Sequence, residues 1–219
     1  MSIADNLLKI KQDLPEDVTL VAVSKTKPVS DLMQAYIAGQ RVFGENKIQE
    51  MAAKHEEMPK DIEWHMIGHV QRNKVKYMAH FVSCIHGVDS LRLLEEINKQ
   101  ALKHNRLIPC LLQIKIATED SKFGMTKEDA LELLNSNAYS EYENVNVVGL
   151  MGMSTFTDDK SIVKSEFEYL KSCYDEFKLD HPNFNTLSMG MSGDYELAIE
   201  CGSSMIRVGS NIFGARQYS

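Results

Sequence analysis

A lysine lies just after an apolar run, at a place where its amine could take part in chemistry. Residues 20–23 read Leu-Val-Ala-Val, and Lys25 comes two positions after Val23. Because alternate residues of a strand point to the same side, Lys25 shares the side of Val23, which must face a packed interior. Desolvation there disfavours the ammonium form, and a neutral amine can attack an aldehyde to form a Schiff base. The alternative is a lysine that reaches solvent, which suits Lys27 better because it leads out into the loop.

A second set of residues, near the C-terminus, is suited to an anion. Gly209, Ser210 and Asn211 precede a short helical turn at residues 212–214. Glycine lets the backbone come close to an anion, and the free N–H groups at a helix start point toward it. Ser192, which follows an earlier strand, could add a hydroxyl donor. Glycine-rich turns are weak signals by themselves, so the alternative is that these glycines only end strands and helices.

An arginine interrupts an apolar run in the same region. Arg207 lies between Ile206 and Val208. A guanidinium in the middle of a buried strand needs a partner, because an unpaired buried charge is very costly. A carboxylate partner would make the arginine structural, whereas the ring nitrogen of a bound cofactor would make it part of a site. This pattern leaves both interpretations open.

The elements that must position these residues alternate regularly along the chain. Apolar stretches typical of strands occur at residues 19–23, 41–43, 62–67, 81–85, 110–116, 145–150, 186–189 and 205–208. Helices or helical turns are predicted at residues 2–12, 30–38, 47–57, 74–80, 91–101 (with Ser90 as the cap), 127–134, 160–178, 194–201 and 212–214. Strict alternation implies a parallel sheet, and this many repeats favour a closed (β/α)₈ barrel of the TIM type. The alternative is an open doubly wound sheet. We expect a single domain over residues 1–219, since no linker or repeat is found.

The predicted barrel brings the reactive residues to one end. In such barrels the active site lies at the carboxyl ends of the strands, and phosphate is commonly bound between the loops after strands 7 and 8. The many polar and glycine residues that this rule brings together include Lys25, Asn46, His65, Ser154, Ser192, Arg207, Gly209 and Ser210.

Composition narrows the classes of function and partner. The net charge of −7 argues against broad nucleic-acid binding, which usually needs a basic face. The N-terminus does not read as a signal peptide, and the apolar runs are too short to span a bilayer, so we expect a cytoplasmic protein without membrane contact. The 4 cysteines are scattered without metal-ligand spacing, so neither a disulfide framework nor a metal site is expected. We also expect a monomer.

Several strings of the chain, taken together and in order, match a known family. They are VAVSKTKP (21–28), FGEN (43–46), EWHMIG (63–68), QRNK (71–74), SKFGM (121–125), SMGMSGDYELAI (188–199) and IRVGSNIFGAR (206–216). In these strings the chain resembles the pyridoxal-phosphate homeostasis protein family, whose members are related to the N-terminal barrel of alanine racemase. The resemblance covers nearly the whole chain, and it implies the barrel of the alanine racemase N-terminal kind, PLP fold type III.

The resemblance also implies a cofactor and roles for particular residues. The cofactor is pyridoxal 5′-phosphate (PLP), held as a Schiff base on Lys25. Ser192, Gly209 and Ser210 correspond to the family's phosphate grip, and Arg207 corresponds to the residue that faces the pyridine nitrogen. A further group of residues, with less certain roles, lines or borders the same pocket, namely Asn46, His65 and, more weakly, Ser154.

Three functions remain open at this stage. The preferred one is a non-catalytic carrier that holds PLP and supplies or buffers it, with apo-forms of PLP-dependent enzymes as partners. Alanine racemase needs a second base from an additional domain, which we expect to be missing because the sequence ends at Ser219; Tyr218 is expected to be a surface residue. Arg207 also disfavours a protonated pyridine nitrogen, which weakens the cofactor as an electron sink. The alternatives are a small amino-acid racemase, since a racemase can work with such an arginine, and a scaffold that binds other proteins.

Overall fold

The computed structural model describes residues 2–118 and 123–215. The expectation for Tyr218 therefore lies outside the described residues. The same holds for Ser121 and Lys122 of the SKFGM string and for Arg216 at the end of the last string.

Eight parallel strands form a closed barrel in chain order. The strands are β1 (Thr19–Val23), β2 (Val42–Glu45), β3 (Glu63–Met66), β4 (Cys84–Val88), β5 (Ile108–Gln113), β6 (Val145–Met151), β7 (Thr186–Met191) and β8 (Met205–Val208). The barrel closes where β8 pairs with β1. The prediction of a (β/α)₈ barrel is confirmed, and the open doubly wound alternative is wrong.

Helical segments follow the strands and cover the outside of the barrel. The helices are α1 (Ile3–Asp13), α2 (Val29–Ile37), α3 (Ile48–Glu57), α4 (Leu91–Leu102), α5 (Lys127–Leu134), α6 (Asn137–Ser140), α7 (Lys160–Asp180), α8 (Tyr195–Glu200) and α9 (Ser210–Phe213), with a 3₁₀ helix at Arg72–Tyr77. Local signals set some of these bounds: α5 begins at Lys127 because Thr126 and Asp129 form a capping box. Within the described residues, no helix is both long enough and apolar enough to cross a bilayer.

The barrel wall has two faces, and the strands alternate between them. Leu20 and Ala22 of β1 belong to the main core, which lies between the barrel and the helices. Val21 lies between them in the strand, and its Cγ1 would be 2.8 Å from a Cβ placed on Gly44. It pairs in register with Arg207, so the side chains of Val21 and Arg207 both point into the barrel. A second, smaller apolar cluster fills part of the interior and consists of Cys84, Leu111 and Met151.

The fourth strand lies further along the chain than its sequence predicts. The apolar residues from Phe81 were expected to begin the strand, but the N–H groups of Phe81 and Val82 both donate to the carbonyl of Met78. They therefore continue the turn after the 3₁₀ helix, and β4 runs instead over Cys84–Val88. The shift matters because it brings a histidine, His86, into the strand.

Three smaller expectations also differ. The segment predicted as a helix at 74–80 is the 3₁₀ helix Arg72–Tyr77, and α6 at Asn137–Ser140 was not predicted. Ser90 is the residue before α4, but its side chain makes no capping bond to the helix. Its hydroxyl donates instead to Asp89 Oδ1 at 3.3 Å.

Candidate functional site

A cavity of about 600 Å³ opens at the carboxyl ends of the strands. This volume lies within the range of roughly 300–1,000 Å³ that is usual for small-molecule sites. The predicted site residues that line it are Lys25, Asn46, Ser192, Arg207, Gly209 and Ser210, together with the weaker candidate Ser154. His65 is not among the lining residues; it lies fully buried behind them.

The residues on either side of Lys25 are held firmly. Ser24 donates through its backbone to the carbonyl of Gly44 at 3.0 Å and through its hydroxyl to Glu45 Oε1 at 2.6 Å. Thr26 has a φ of 64°, a left-handed conformation that is uncommon for a residue other than glycine. Its N–H donates to Glu50 Oε1 at 2.6 Å. The backbone on both sides of Lys25 is thus tied to the segment from β2 to α3.

A buried ammonium group organises this tie. Lys54 Nζ donates to the carbonyl of Ser24 at 2.8 Å, to Glu45 Oε1 at 2.7 Å and to Glu50 Oε1 at 2.7 Å. The side chain of Glu45 is 0% exposed and that of Lys54 is 7% exposed. Burial raises the pKa of the Glu45 carboxyl, while Lys54 and Ser24 oppose the rise. The sequence did not reveal this cluster, because a lysine on a helix is normally solvated.

Lys27 has a different environment from Lys25. Its Nζ donates to the carbonyl of Phe213 at 2.9 Å and to that of Ala215 at 3.2 Å. It therefore ties the loop after β1 to the end of α9. Lys27 also lines the cavity, which places it closer to the site than a lysine that simply reaches solvent.

The loops after β7 and β8 are joined at the other side of the cavity. The N–H of Gly209 donates to Ser192 Oγ at 3.1 Å, and Asn211 Nδ2 donates to the carbonyl of Ser192 at 3.0 Å. A Cβ at Gly209 would lie 3.1 Å from the carbonyl oxygen of Val23, so the glycine allows β8 to approach β1 closely. Ser192, Gly209 and Ser210 therefore form one polar wall.

An aspartate beside this wall has both carboxylate oxygens occupied. Asp194 Oδ2 accepts from Ser154 Oγ at 2.7 Å, and Asp194 Oδ1 accepts from the N–H of Met191 at 2.6 Å. Asp194 thus fixes the loop after β7, in which Ser192 lies. Ser154, the donor to Asp194 Oδ2, was predicted to border the pocket, and it lines the cavity.

Arg207 is buried and bonded to uncharged groups. Its Nη1 donates to Ser188 Oγ at 2.5 Å and its Nη2 to the carbonyl of Gly152 at 2.9 Å. Among the described residues it forms no ion pair with a carboxylate. Burial lowers its pKa to about 10, so the guanidinium is still charged at neutral pH.

Two histidines stand behind Arg207 in the barrel interior. His86 Nδ1 lies 3.1 Å from Ser188 Oγ, and His86 Nε2 lies 3.0 Å from His65 Nδ1. Burial lowers the pKa of His65 to about 4 and that of His86 well below its ordinary value, so both are neutral at pH 7. Sequence reasoning missed His86 because the fourth strand was placed too early. The available signal was the spacing of Cys84 and His86, which are two positions apart and therefore share one side of a strand.

The same histidines lie near a thiol, in a group of metal-ligand type. Ligand atoms of His65, Cys84 and His86 lie within 4.8 Å of one another. Burial raises the pKa of the Cys84 thiol to about 12, whereas a metal needs the thiolate. The two imidazoles also share a hydrogen bond, which occupies a ring nitrogen of each that a metal would need. This chemistry favours a hydrogen-bonded interior over a metal centre.

The donors around the cavity fit the parts of a phosphorylated pyridine aldehyde. Lys25 provides an amine for the aldehyde, and Arg207 provides N–H donors for a ring nitrogen. Ser192 and the turn at Gly209 and Ser210 provide hydroxyl and backbone donors for a phosphate. All of these residues line one continuous space.

Comparison with known proteins gives consistent relatives over the full length. The family model for the alanine racemase N-terminal domain matches residues 1–217. A pyridoxal phosphate homeostasis protein of Vibrio alginolyticus is 40% identical, over 94% of this chain and 89% of its own length. The protein of the same name from Pasteurella multocida is 38% identical over 100% of both chains.

Solved structures give the same picture. The structure of PipY from Synechococcus elongatus with PLP bound is 34% identical, with a TM-score of 0.88, and the match covers 97% of this chain and 100% of that one. Alanine racemase from E. faecalis is 19% identical with a TM-score of 0.74, and the match covers 98% of this chain and 58% of the racemase. The racemase therefore shares the fold.

Replacing Lys54 should destabilise the protein strongly. In Lys54→Met the Glu45 carboxylate loses its buried partner, so we expect the free energy of unfolding to fall by about 3–5 kcal/mol. The matched control is Lys47→Met, since Lys47 is exposed at the start of α3. It should change stability by less than about 0.5 kcal/mol. Urea unfolding of both variants measures the difference; equal effects would contradict a structural role for the buried ion cluster.

The interior histidines should make stability depend on pH. In the folded protein the pKa of His65 is lowered to about 4 and that of His86 lies well below its ordinary value. Between about pH 6.5 and pH 4 the unfolded protein therefore takes up protons that the folded protein does not. We expect the free energy of unfolding to fall as pH drops through this window, by up to ~2.7 kcal/mol per pH unit for two protons.

Two variants assign this dependence. His65→Gln removes one buried imidazole and should make the slope smaller, whereas His69→Gln, at a half-exposed position, should retain it. Urea unfolding at several pH values gives the slopes. An unchanged slope in His65→Gln would contradict the assignment.

Proposed function

The chain belongs to the pyridoxal phosphate homeostasis protein family, built on the alanine racemase N-terminal domain, and we propose that it holds PLP on Lys25 for supply to other proteins. PLP is its cofactor, in keeping with the relatives' name and with the PLP-bound structure of PipY. The proposal adds to this the residues that hold PLP and the use that is made of it.

One observation carries the assignment of residues. Lys25, Arg207 and the Ser192–Gly209–Ser210 wall surround the same cavity, and each offers the donor that a different part of PLP requires. PLP supplies an aldehyde that a lysine amine captures reversibly, which suits storage as well as catalysis.

The residues around Lys25 prepare it for this reaction. The ties at Ser24 and Thr26 fix the backbone on both sides, so the Lys25 side chain has a defined origin at the rim of the barrel. Fixing the backbone before binding reduces the entropy that binding would otherwise cost. Asn46, which follows the buried Glu45, lines the cavity beside it and would contact the ring or its substituents.

Arg207 favours holding PLP over transforming it. Its guanidinium donates hydrogen bonds and cannot accept a proton, and its charge disfavours protonation of a pyridine nitrogen placed against it. An unprotonated ring withdraws electrons weakly, so carbanion chemistry is poorly supported. A non-catalytic carrier or buffer is therefore the function that we propose, with apo-forms of PLP-dependent enzymes as recipients.

Other features of the proposal concern the protein as a whole. We infer that it acts in the cytoplasm, as a monomer and as one barrel domain over residues 1–219. A racemase remains the alternative because the same fold occurs in alanine racemase. Incubation with PLP and L-amino acids, followed by chiral analysis, separates the two: D-amino acid formation at enzymatic rates would replace the carrier by the racemase.

Lys25 is expected to be the residue that forms the covalent link. Lys25→Ala should abolish the near-visible absorbance of the lysine-bound cofactor, because Lys27 is the one other lysine that lines the cavity among the described residues. Lys27→Ala should retain the band, since the Lys27 amine is engaged by the carbonyls of Phe213 and Ala215. Borohydride reduction and peptide mapping identify the modified lysine. Finding the phosphopyridoxyl group on another lysine would refute the assignment.

Ser192 is expected to bind the phosphate. Each hydrogen bond to a charged group contributes roughly 1.5–3 kcal/mol, so Ser192→Ala should weaken PLP binding by about tenfold or more. Pyridoxal, which has no phosphate, is the control ligand: it should bind far less well than PLP to the original protein and equally to both proteins. Fluorescence titration gives the four affinities. A similar loss for both ligands would show that Ser192 acts on the loop rather than on the phosphate.

A further inference from the structure

A chain of hydrogen bonds runs through the barrel interior from Arg207 to His65. It connects side chains from β8, β7, β4 and β3, in the order Arg207, Ser188, His86 and His65. All four residues are at most 5% exposed. Only Arg207 among them lines the cavity, so any effect of the other three on a ligand would pass through Arg207.

The donors and acceptors give this chain one direction. A guanidinium only donates, so Ser188 Oγ must accept from Arg207. The Ser188 hydroxyl then has its own proton to donate, and the acceptor within reach among the described residues is His86 Nδ1 at 3.1 Å. A neutral imidazole that accepts at Nδ1 carries its proton on Nε2.

The second imidazole follows the first. His86 Nε2–H faces His65 Nδ1 at 3.0 Å, so His65 accepts there and carries its proton on Nε2 as well. In the reverse arrangement Ser188 Oγ would receive two donors, and its own proton would lack an acceptor among the described residues. Burial, which lowers the pKa of both histidines, keeps the two rings neutral.

We propose that Ser188 and His86, supported by His65, are positioning residues that hold the Arg207 guanidinium toward the pyridine nitrogen through this one-directional chain. The inference rests on the proposed function, because it assumes that a ring nitrogen meets Arg207. A guanidinium has five N–H donors, and two of them bond Ser188 and the Gly152 carbonyl. Among the described residues the other three have no hydrogen-bond partner, and Arg207 lines the cavity.

The three hydrogen-bonded side chains behind Arg207 are uncharged, and this has a chemical consequence. A carboxylate behind Arg207 would partly cancel its charge, whereas a hydroxyl and two neutral imidazoles leave that charge in place. Asp194, whose charge raises the pKa of Arg207 against the effect of burial, is engaged with Ser154 and Met191. The interior therefore presents a full cation to the ring and maintains the unprotonated nitrogen that suits storage.

The donor-to-acceptor direction of these hydrogen bonds can be measured without the cofactor. Long-range ¹H–¹⁵N correlation spectra of the apo-protein, labelled with ¹⁵N at histidine, distinguish the Nδ1–H and Nε2–H tautomers. We expect His65 and His86 to be neutral Nε2–H tautomers at pH 7.5. In Ser188→Ala the His86 Nδ1 atom loses its donor, so His86 should become a mixture of tautomers.

The matched control is a second buried serine beside the same strands. The Ser203 hydroxyl lies within hydrogen-bond distance of the carbonyls of Leu187, Met189 and Met205, to one of which it can donate, and it bonds none of the four residues from Arg207 to His65. Ser203→Ala should leave both histidine tautomers and the PLP affinity unchanged, although it lowers stability. An Nδ1–H tautomer at His86 in the original protein, or unchanged tautomers in Ser188→Ala, would overturn the proposal.

A second pair of variants tests positioning and does not depend on Ser188→Ala folding. Glutamine at position 86 can accept from Ser188 and donate to His65, whereas leucine can do neither. We expect His86→Gln to bind PLP within about threefold of the original protein and His86→Leu to bind it about tenfold or more weakly, with a shifted absorbance maximum. Equal affinities and spectra for the two would refute a positioning role.

The outcomes also separate this proposal from the function on which it rests. If the original protein does not hold PLP on a lysine, the proposed function fails, while the apo-protein spectra still decide the direction of the chain. If PLP is held on Lys25 but His86→Leu binds it as well as His86→Gln, the function stands and the positioning role fails.

Discussion

The pairing of β1 with β8 is the constraint on which the site depends. It sets Val21 beside Arg207 and Ala22 beside Val208, and it closes the barrel. The loop that carries Lys25 therefore emerges next to the turn at Gly209, although the two are at opposite ends of the sequence. The approach is close enough that a Cβ at Gly209 would nearly touch the Val23 carbonyl. Closure of the barrel thus brings the Lys25 amine, the Arg207 guanidinium and the turn at Gly209 and Ser210 to one cavity.

Two buried polar networks support this cavity from different sides of the barrel wall. Outside the barrel, Lys54 and Glu45 are an ion pair whose bonds extend to the backbone beside Lys25. Inside it, Arg207 is satisfied by a hydroxyl, a carbonyl and, beyond the hydroxyl, neutral imidazoles. The two cations differ in the groups that surround them. Lys54 is neutralised by its carboxylate partners, whereas Arg207 lines the cavity and, among the described residues, has only uncharged partners.

Much of the architecture could be predicted from local patterns. The period of two placed Lys25 on the inner side with Val23, and alternation of strands and helices predicted the barrel. The predicted bounds of helix α5 agree with the observed ones, and the structure shows a capping box at Thr126 that fixes its start. The fourth strand was misplaced because Phe81 and Val82 are as apolar as strand residues, but their N–H groups bond back to Met78. Hydrophobicity alone does not distinguish a buried turn from a buried strand.

The sequence by itself determined which residues face inward, and therefore that a lysine, an arginine and a glycine-serine turn would share one end of a barrel. Only the tertiary structure decided which groups they meet. Ser188 and His86 are 102 positions apart, and Lys54 bonds the carbonyl of Ser24 across 30 positions. The physical reason is that periodicity reports the side on which a residue lies, whereas the partner across the barrel depends on strand register and closure, which have no local signal.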